Sequence, residues 1–284
     1  MTGPVQVTGE VLGVKRLGAL VRLTFVADGV AERFRPGTFV AFAVGGPLSD
    51  RVLRRLAPLH AVRVTGAYGG TAEVVLEPPP ENRPADPGWT WLTALGPGAP
   101  LDVMGPLGRP YALPKEPVTC VLVGEGAASA PLFALAERLR ERNCPVHMVL
   151  GGRTEAHLFG ALEARRATRG VTVTTEDGSV GITGRPHVAL PDLLRRTGAE
   201  VVYGAGRPDL LHAVARVAED HGAWSQTAVP VDVGCGTGLC GACVLPVVGA
   251  DGITRMARGC TEGPVFRGDR VRWEDLHTVP EGAR

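Results

Sequence analysis

Apolar positions in the first part of the chain come in short runs rich in Val and Thr. They are residues 5–14 (VQVTGEVLGV), 19–27 (ALVRLTFVA), 38–44 (TFVAFAV), 60–66 (HAVRVTG) and 72–78 (AEVVLEP). Each run partly alternates apolar with polar, and Gly, Pro or Asp separates it from the next. That pattern predicts a small antiparallel barrel or sandwich. The Pro-rich stretch 78–87 reads as a loop. From residue 116 the pattern changes. A buried-type strand over 118–123 runs into Gly124-Glu125-Gly126, and residues 130–142 have helical periodicity. Residues 146–150 form the next strand, followed by Gly151-Gly152-Arg153, and 171–175, 190–196, 200–203 and 209–220 continue the alternation. Strands alternating with helices imply a parallel sheet with helices on its faces. The segment after residue 222 has little aliphatic density, and so short a piece makes a marginal core alone. The expected division is therefore 1–113, 114–222 and 223–284.

Composition narrows the function classes. The 284 residues are 44% hydrophobic and 21% charged, enough for two domains or three small ones. The net charge is +1 with no block of basic residues, which argues against a nucleic-acid groove. No run of about 18 apolar residues occurs, so no membrane span is expected. The first residues lack the charged-then-apolar pattern of a secretory signal, and the cytoplasm is the default location.

Cysteine placement changes the picture most. Of Cys120, Cys144, Cys235, Cys240, Cys243 and Cys260, four lie within 26 residues. In a reducing compartment such a cluster suggests a metal site before disulfides. The order Cys235-x4-Cys240-x2-Cys243, then sixteen residues, then Cys260, matches plant-type [2Fe–2S] ligand spacing. The loop reads GCGTGLCGAC, and its glycines permit the backbone to wrap an inorganic core. Zinc is one alternative, although only one C-x2-C knuckle is present. A disulfide pair is the other. Cys120 and Cys144 fall outside the spacing and read as buried structural thiols.

Two loops invite a nucleotide. Val123-Gly124-Glu125-Gly126-Ala127-Ala128-Ser129 joins a strand to a helix, where amides and the helix dipole can face a phosphate. It is not a full G-x-G-x-x-G, and Glu125 would bring negative charge near a pyrophosphate. A plain tight turn stays open as the other reading. Tyr203-Gly204-Ala205-Gly206-Arg207-Pro208 again follows a strand and opens a helix, either as a ligand loop or as a capped helix start. Arg54-Arg55-Leu56-Ala57-Pro58-Leu59 precedes a strand, and its arginines suit phosphate contact or a solvated surface. His60 reads as a packing or surface residue.

The order barrel, nucleotide unit, plant-type cluster resembles the electron-transfer subunit of type 1B dihydroorotate dehydrogenase, in the ferredoxin–NADP+ reductase superfamily. The likeness spans nearly the whole chain. Pro36-Gly37-Thr38-Phe39-Val40 looks like the family's P-G-Q-F-V, and Arg55-Leu56-Ala57-Pro58 sits where it has the flavin-binding R-P-x-S. Gly88-Trp89-Thr90-Trp91-Leu92 corresponds to a G-x-G-T-x-x-L turn. Residues 102–108 are close to D-V-x-G-P-L-G, 175–179 match T-E-D-G-S, and 260–266 resemble C-x-x-G-P-V-F. The resemblance implies FAD on the barrel, held by Arg55, Leu56, Ala57, Pro58, Gly88, Trp89 and Thr90. It implies NAD(H) on the α/β unit, against Gly124, Gly126, Gly204, Ala205 and Gly206. It implies a [2Fe–2S] cluster on Cys235, Cys240, Cys243 and Cys260.

It also implies a TIM-barrel flavoprotein dehydrogenase as partner, in a heterotetramer. The chain itself carries no evident site for oxidising dihydroorotate. Four departures stand out. Pro58 replaces the flavin-binding serine, Ala205 a cysteine near the nicotinamide, Arg207 the first proline of that loop, and Glu125 a glycine of the other loop. They fall on the flavin and nucleotide loops while all four cluster ligands are kept, which predicts slow or absent NADH exchange. Rival readings are a paralogue serving another dehydrogenase, a self-contained reductase feeding an oxygenase or ferredoxin, and a non-catalytic docking subunit.

Overall fold

The computed structural model describes residues 3–46, 48–64, 70–78, 86–231 and 233–277. Six strands form the first unit: β1 (Val5–Leu17), β2 (Leu20–Val26), β3 (Phe39–Phe42), β4 (Arg54–Arg63), β5 (Thr71–Leu76) and β6 (Pro100–Leu107). They pair in the order β4-β3-β6-β1-β2-β5, and β5 returns to β4, so the sheet closes on itself. Of the two expected architectures, the barrel is the one formed, and closure removes the open strand edges. In β2, Leu23 and Phe25 point inward while Arg22 and Thr24 are half-buried. Phe25 meets Phe42 edge-to-face at 5.3 Å.

Two expectations need correction. Arg54 to Leu59 does not precede a strand but lies within β4, because Leu56, Ala57 and Leu59 are buried there. Pro58 sits opposite Phe39 in that strand, and the Leu59 N–H resumes the ladder by donating to the Thr38 carbonyl at 3.1 Å. The segment from Gly88 is not a turn but the first turns of helix α1 (Pro87–Thr93). Asp86 caps it, accepting from the Gly88 and Trp89 amides, with Pro87 in the first turn. Of the Pro-rich stretch, residues 79–85 lie outside the described residues.

The second unit holds β7 (Cys120–Glu125), β8 (Val146–Gly152), β9 (Gly170–Thr175), β10 (Ile182–Thr183), β11 (Val201–Ala205) and β12 (Trp224–Ala228). Its helices are α2 (Pro131–Glu141), α3 (Ala161–Ala167), α4 (Leu190–Thr197) and α5 (Pro208–Asp220). The strands are parallel, in the order β10-β9-β8-β7-β11-β12. One face packs Leu122, Met148 and Leu150 under α2, and the other packs Val121, Val149 and Val202 under α4 and α5.

The remaining strands are β13 (Val233–Gly234), β14 (Val244–Val248), β15 (Thr254–Arg258) and β16 (Val265–Arg267). Only β14 and β15 form a sheet of their own. β16 adds antiparallel to β12, and β13 adds to Arg54 and Arg55 of β4. The sheet boundaries thus do not follow the expected division at 222/223. Too small for a separate core, the last segment lends strands to both neighbours.

Tyrosines tie barrel and sheet together. The Tyr111 hydroxyl donates to the Gly204 carbonyl at 3.0 Å, and the Tyr203 hydroxyl to the Ala112 carbonyl at 2.9 Å. His60 is buried between Phe133 and Phe159, with Nδ1 3.0 Å from the Ala130 carbonyl oxygen, so it packs the interface. No helix among the described residues is long and apolar enough to cross a membrane.

Candidate cofactor cleft and cysteine loop

A cleft of about 610 Å3 lies between the barrel and the parallel sheet. Leu56, Ala57 and Pro58 of β4 and Trp89 of α1 line its barrel side. Glu125 to Ala128 and Ala205 to Arg207 line the opposite side, and Ala228 to Val231 close the end. The structure therefore brings Leu56, Ala57, Pro58, Trp89, Gly126, Ala205 and Gly206 to one cavity. The volume and the largely apolar floor suit a flavin ring system.

The other expected residues stand behind this lining. Gly124 is buried in β7 opposite Ala205, where a Cβ would meet the Ser129 side chain at 2.6 Å. Gly204 offers its carbonyl to Tyr111. Thr90 turns its hydroxyl back onto the Asp86 carbonyl at 3.0 Å. Arg55 is buried, and its guanidinium grips Asp86 through Nε at 2.7 Å and Nη2 at 2.9 Å. That guanidinium lies on Gly88, where a Cβ would meet Nε at 2.6 Å. Burial pushes the Asp86 carboxyl up, but the Arg55 hydrogen bond and charge and the Trp89 and Gly88 amides outweigh it, leaving the group below its ordinary value.

β8 and β11 flank β7 on opposite sides, so the ends of β7 and β11 form the switch point of the sheet, where open α/β folds receive ligands. Charged side chains crowd there. Glu125 accepts from the Arg207 N–H at 2.9 Å, Arg207 Nε at 3.0 Å and Arg185 Nη2 at 3.2 Å. Arg207 Nη2 also donates to Glu176 at 3.0 Å, and Arg185 Nη1 to Asp209 at 2.6 Å. On the barrel side of the same crevice, Arg153 pairs with Glu77 at 2.5 Å. Burial lowers the Arg185 group, yet its bonds to Asp209 and Glu125 raise it overall, so it stays charged. The cleft thus has room for a flavin ring, and the switch point beside it holds a carboxylate paired with two arginines.

Sequence reasoning missed Asp86, Glu77 and Arg185. Asp86 followed by Pro87 is a helix-start signature that could have been read. Arg185 lies 60 residues from Glu125 and gave no local signal.

The cysteine loop follows β13. Amides of Thr237, Leu239 and Cys240 point at Cys235 Sγ from 3.3, 3.2 and 3.4 Å, and the Ala242 amide at Cys240 Sγ from 3.5 Å. Gly236, Gly238 and Gly241 take positive φ of 76°, 83° and 70°, which aims these N–H groups inward. Cys260, in the turn after β15, donates its N–H to Cys243 Sγ at 3.4 Å. All six thiols are free, so the disulfide alternative is not adopted. Burial pushes the Cys235 thiol up, but the Thr237 hydroxyl and the Cys240 and Thr237 amides pull it down to about 6. Burial, with Cys243 beside it, pushes Cys260 up to about 12. Amides converging on sulfur fit ligands that carry negative charge, as cluster thiolates do. Val231 and Leu56 line the cleft and also pack with Cys243 and Cys260, so one apolar layer separates the two sites.

Residues 232–272 match the iron-sulfur cluster binding domain of dihydroorotate dehydrogenase B. Over 88% of its length the chain is 34% identical to the dihydroorotate dehydrogenase B (NAD(+)) electron transfer subunit of Geobacillus thermodenitrificans (strain NG80-2), covering 91% of that protein. It is 33% identical to the corresponding subunit of Bacillus caldolyticus over the same shares. Among solved structures it resembles a chain from the NADH-dependent reduced ferredoxin-NADP oxidoreductase, described for flavin-based electron bifurcation. That match has a TM-score of 0.77 and 25% identity, covering 96% of this chain and 92% of the other. The ferredoxin reductase of carbazole 1,9a-dioxygenase shares the fold at a TM-score of 0.64 and 22% identity, over 78% of this chain and 67% of that one.

Proposed function

The chain belongs to the family of dihydroorotate dehydrogenase B electron-transfer subunits, and from that premise we propose that it relays electrons between a separate flavin dehydrogenase and NAD(H) through the cleft and cysteine loop described above. It is an iron–sulfur flavoprotein electron-transfer subunit, whose family carriers are FAD, a [2Fe–2S] cluster and NAD(H). Bound in the cleft, a flavin supplies the link between two-electron and one-electron chemistry.

The chain's own residues hold and insulate. Leu56, Ala57, Pro58 and Trp89 would hold the flavin along the barrel wall, and Arg55, Gly88 and Thr90 would brace that wall from behind through Asp86. Cys235, Cys240, Cys243 and Cys260 hold the cluster, and the Thr237 and Leu239 amides stabilise its negative charge and raise its potential. Leu56 and Val231 keep water out of the space between the sites. Gly124, Gly126, Gly204, Ala205 and Gly206 shape the nucleotide side.

The partner is a TIM-barrel dehydrogenase subunit in a heterotetramer, working in the cytoplasm. It docks where Leu239 of the cysteine loop and Val52 ahead of β4 are about nine-tenths exposed, since β13 lies against the start of β4.

The shared apolar layer between cleft and cysteine loop carries this reading. Its test is an anaerobic visible spectrum of the purified protein before and after NADH, with co-purification of the dehydrogenase. Flavin and iron–sulfur bands that both bleach, slowly because of the carboxylate at the switch point, are expected. Flavin that stays oxidised with NADH, but bleaches once the partner and its substrate are added, favours a paralogue serving a different dehydrogenase. The carboxylate at the switch point is the observation behind that second reading.

A further inference from the structure

The crevice at the carboxyl ends of β7 and β11 should present positive charge and free N–H groups to a dinucleotide. Here it presents Glu125, whose side chain is only 11% exposed. Its carboxylate takes the N–H of Arg207, the residue that caps α5, together with one donor from each of two guanidinium groups. The backbone is built around this placement. Gly126 turns away with φ +52°, and a Cβ at Gly206 would meet Glu125 Cγ at 3.1 Å. The other arginines of the face are engaged as well: Arg185 also by Asp209, Arg207 also by Glu176, and Arg153 by Glu77. Three arginines thus meet four carboxylates, leaving one negative charge unbalanced where a pyrophosphate would add more.

We propose that Glu125 sets the nucleotide affinity of this subunit: its carboxylate holds the place of the pyrophosphate, and NAD(H) binds as Glu125 releases Arg207 and Arg185 to the incoming phosphates. The inference rests on the reading that NAD(H) meets the subunit at this crevice. Binding trades one anion for another on the same donors, so the gain from the phosphates is offset by the loss of the internal pairs. A purely structural role for Glu125 would leave phosphate-bearing and phosphate-free ligands equally affected.

The test is calorimetric titration of the full-length protein, with its native cofactors, by ADP-ribose and by adenosine at one low salt concentration. Glu125→Gln keeps the shape, and Glu125→Gly removes the side chain. Both are expected to bind ADP-ribose about ten- to a hundredfold more tightly than the parent, with adenosine unchanged. Adding Arg207→Gln to Glu125→Gln should remove most of the gain. Glu176→Gln, which frees Arg207 without touching Glu125, should give a smaller gain and covers the case in which both Glu125 variants misfold. Equal ADP-ribose affinity in parent and variants overturns the proposal while leaving the nucleotide reading of the crevice standing. An equal gain for adenosine also overturns it. If neither parent nor variants bind ADP-ribose, the nucleotide reading fails and the proposal fails with it.

Discussion

Asp86 serves two structures at once. It caps α1 through two amides and grips the buried Arg55 guanidinium with both oxygens. Its carboxyl sits below the ordinary value once the opposing effect of burial is outweighed. The sign follows directly. A depressed folded-state value adds stability that is complete above the unfolded-state value of about 3.9 and is lost as pH falls through the folded-state one. Urea midpoints between about pH 6 and 3 should therefore drop on the acid side, and Asp86→Asn should flatten part of that drop. Asp209 is lowered chiefly by its hydrogen bond to Arg185 and adds in the same direction. At this scale legibility depended on range. The four cysteines proposed as cluster ligands stand in one short stretch, and their spacing alone singled them out. Glu125 was visible as an intruding charge, but its bonds to Arg185 and Arg207 span 60 and 82 residues and exist only once the sheet is assembled.

The elements show where patterning works and where proline hides it. β7 and β11 are nearly continuous apolar runs, β8 is broken only by His147, β9 alternates Val with Thr, and all four were found nearly at their true bounds. β4 was found only from His60, because Pro58 interrupts the alternation and its missing N–H falls where the ladder tolerates it. β6 carries Pro100 and Pro106 and read as a motif rather than a strand. α1 was missed because two tryptophans and two threonines in seven residues make weak helix formers, and the Asp86 cap supplies what propensity lacks. The cysteine loop gives a test that leaves every ligand in place. Gly236 has φ +76°, and a Cβ there would meet Leu107 at 2.9 Å and Met104 at 3.1 Å. Gly236→Ala should destabilise the loop by about 1–2 kcal/mol, read as faster loss of iron–sulfur absorbance under chelator with near-normal barrel circular dichroism.

At the scale of the whole molecule, the cleft is a product of how two units are tied. The two tyrosine hydroxyls cross the boundary in opposite directions, and their rings meet edge-to-face at 5.5 Å. Burial pushes both phenols far above their usual range, so they stay protonated donors at any ordinary pH. Tyr203→Phe leaves the Ala112 carbonyl with the Gln226 amide, which also bonds it at 2.8 Å. The expected loss is about 1 kcal/mol of stability by urea unfolding, with weaker flavin retention on gel filtration. The three-unit order was legible from composition shifts along the chain. The exchange of strands was not, because β13 and β16 are two and three residues long and take their meaning from the partners they join.

That exchange bears on how the protein is made. Barrel and parallel sheet lie early in the chain and emerge first during synthesis. Until residues beyond 223 arrive, the edge of β4 that faces away from β3 at Arg54 and Arg55, and the edge of β11 that faces away from β7, have no strand beside them. β12 and β16 cover one edge and β13 the other, and the cysteine loop is strung between these closing strands. The newborn subunit therefore completes its scaffold and its iron-binding loop together. A chain that stops short of these last strands leaves two sheet edges uncovered, the condition that favours edge-to-edge aggregation.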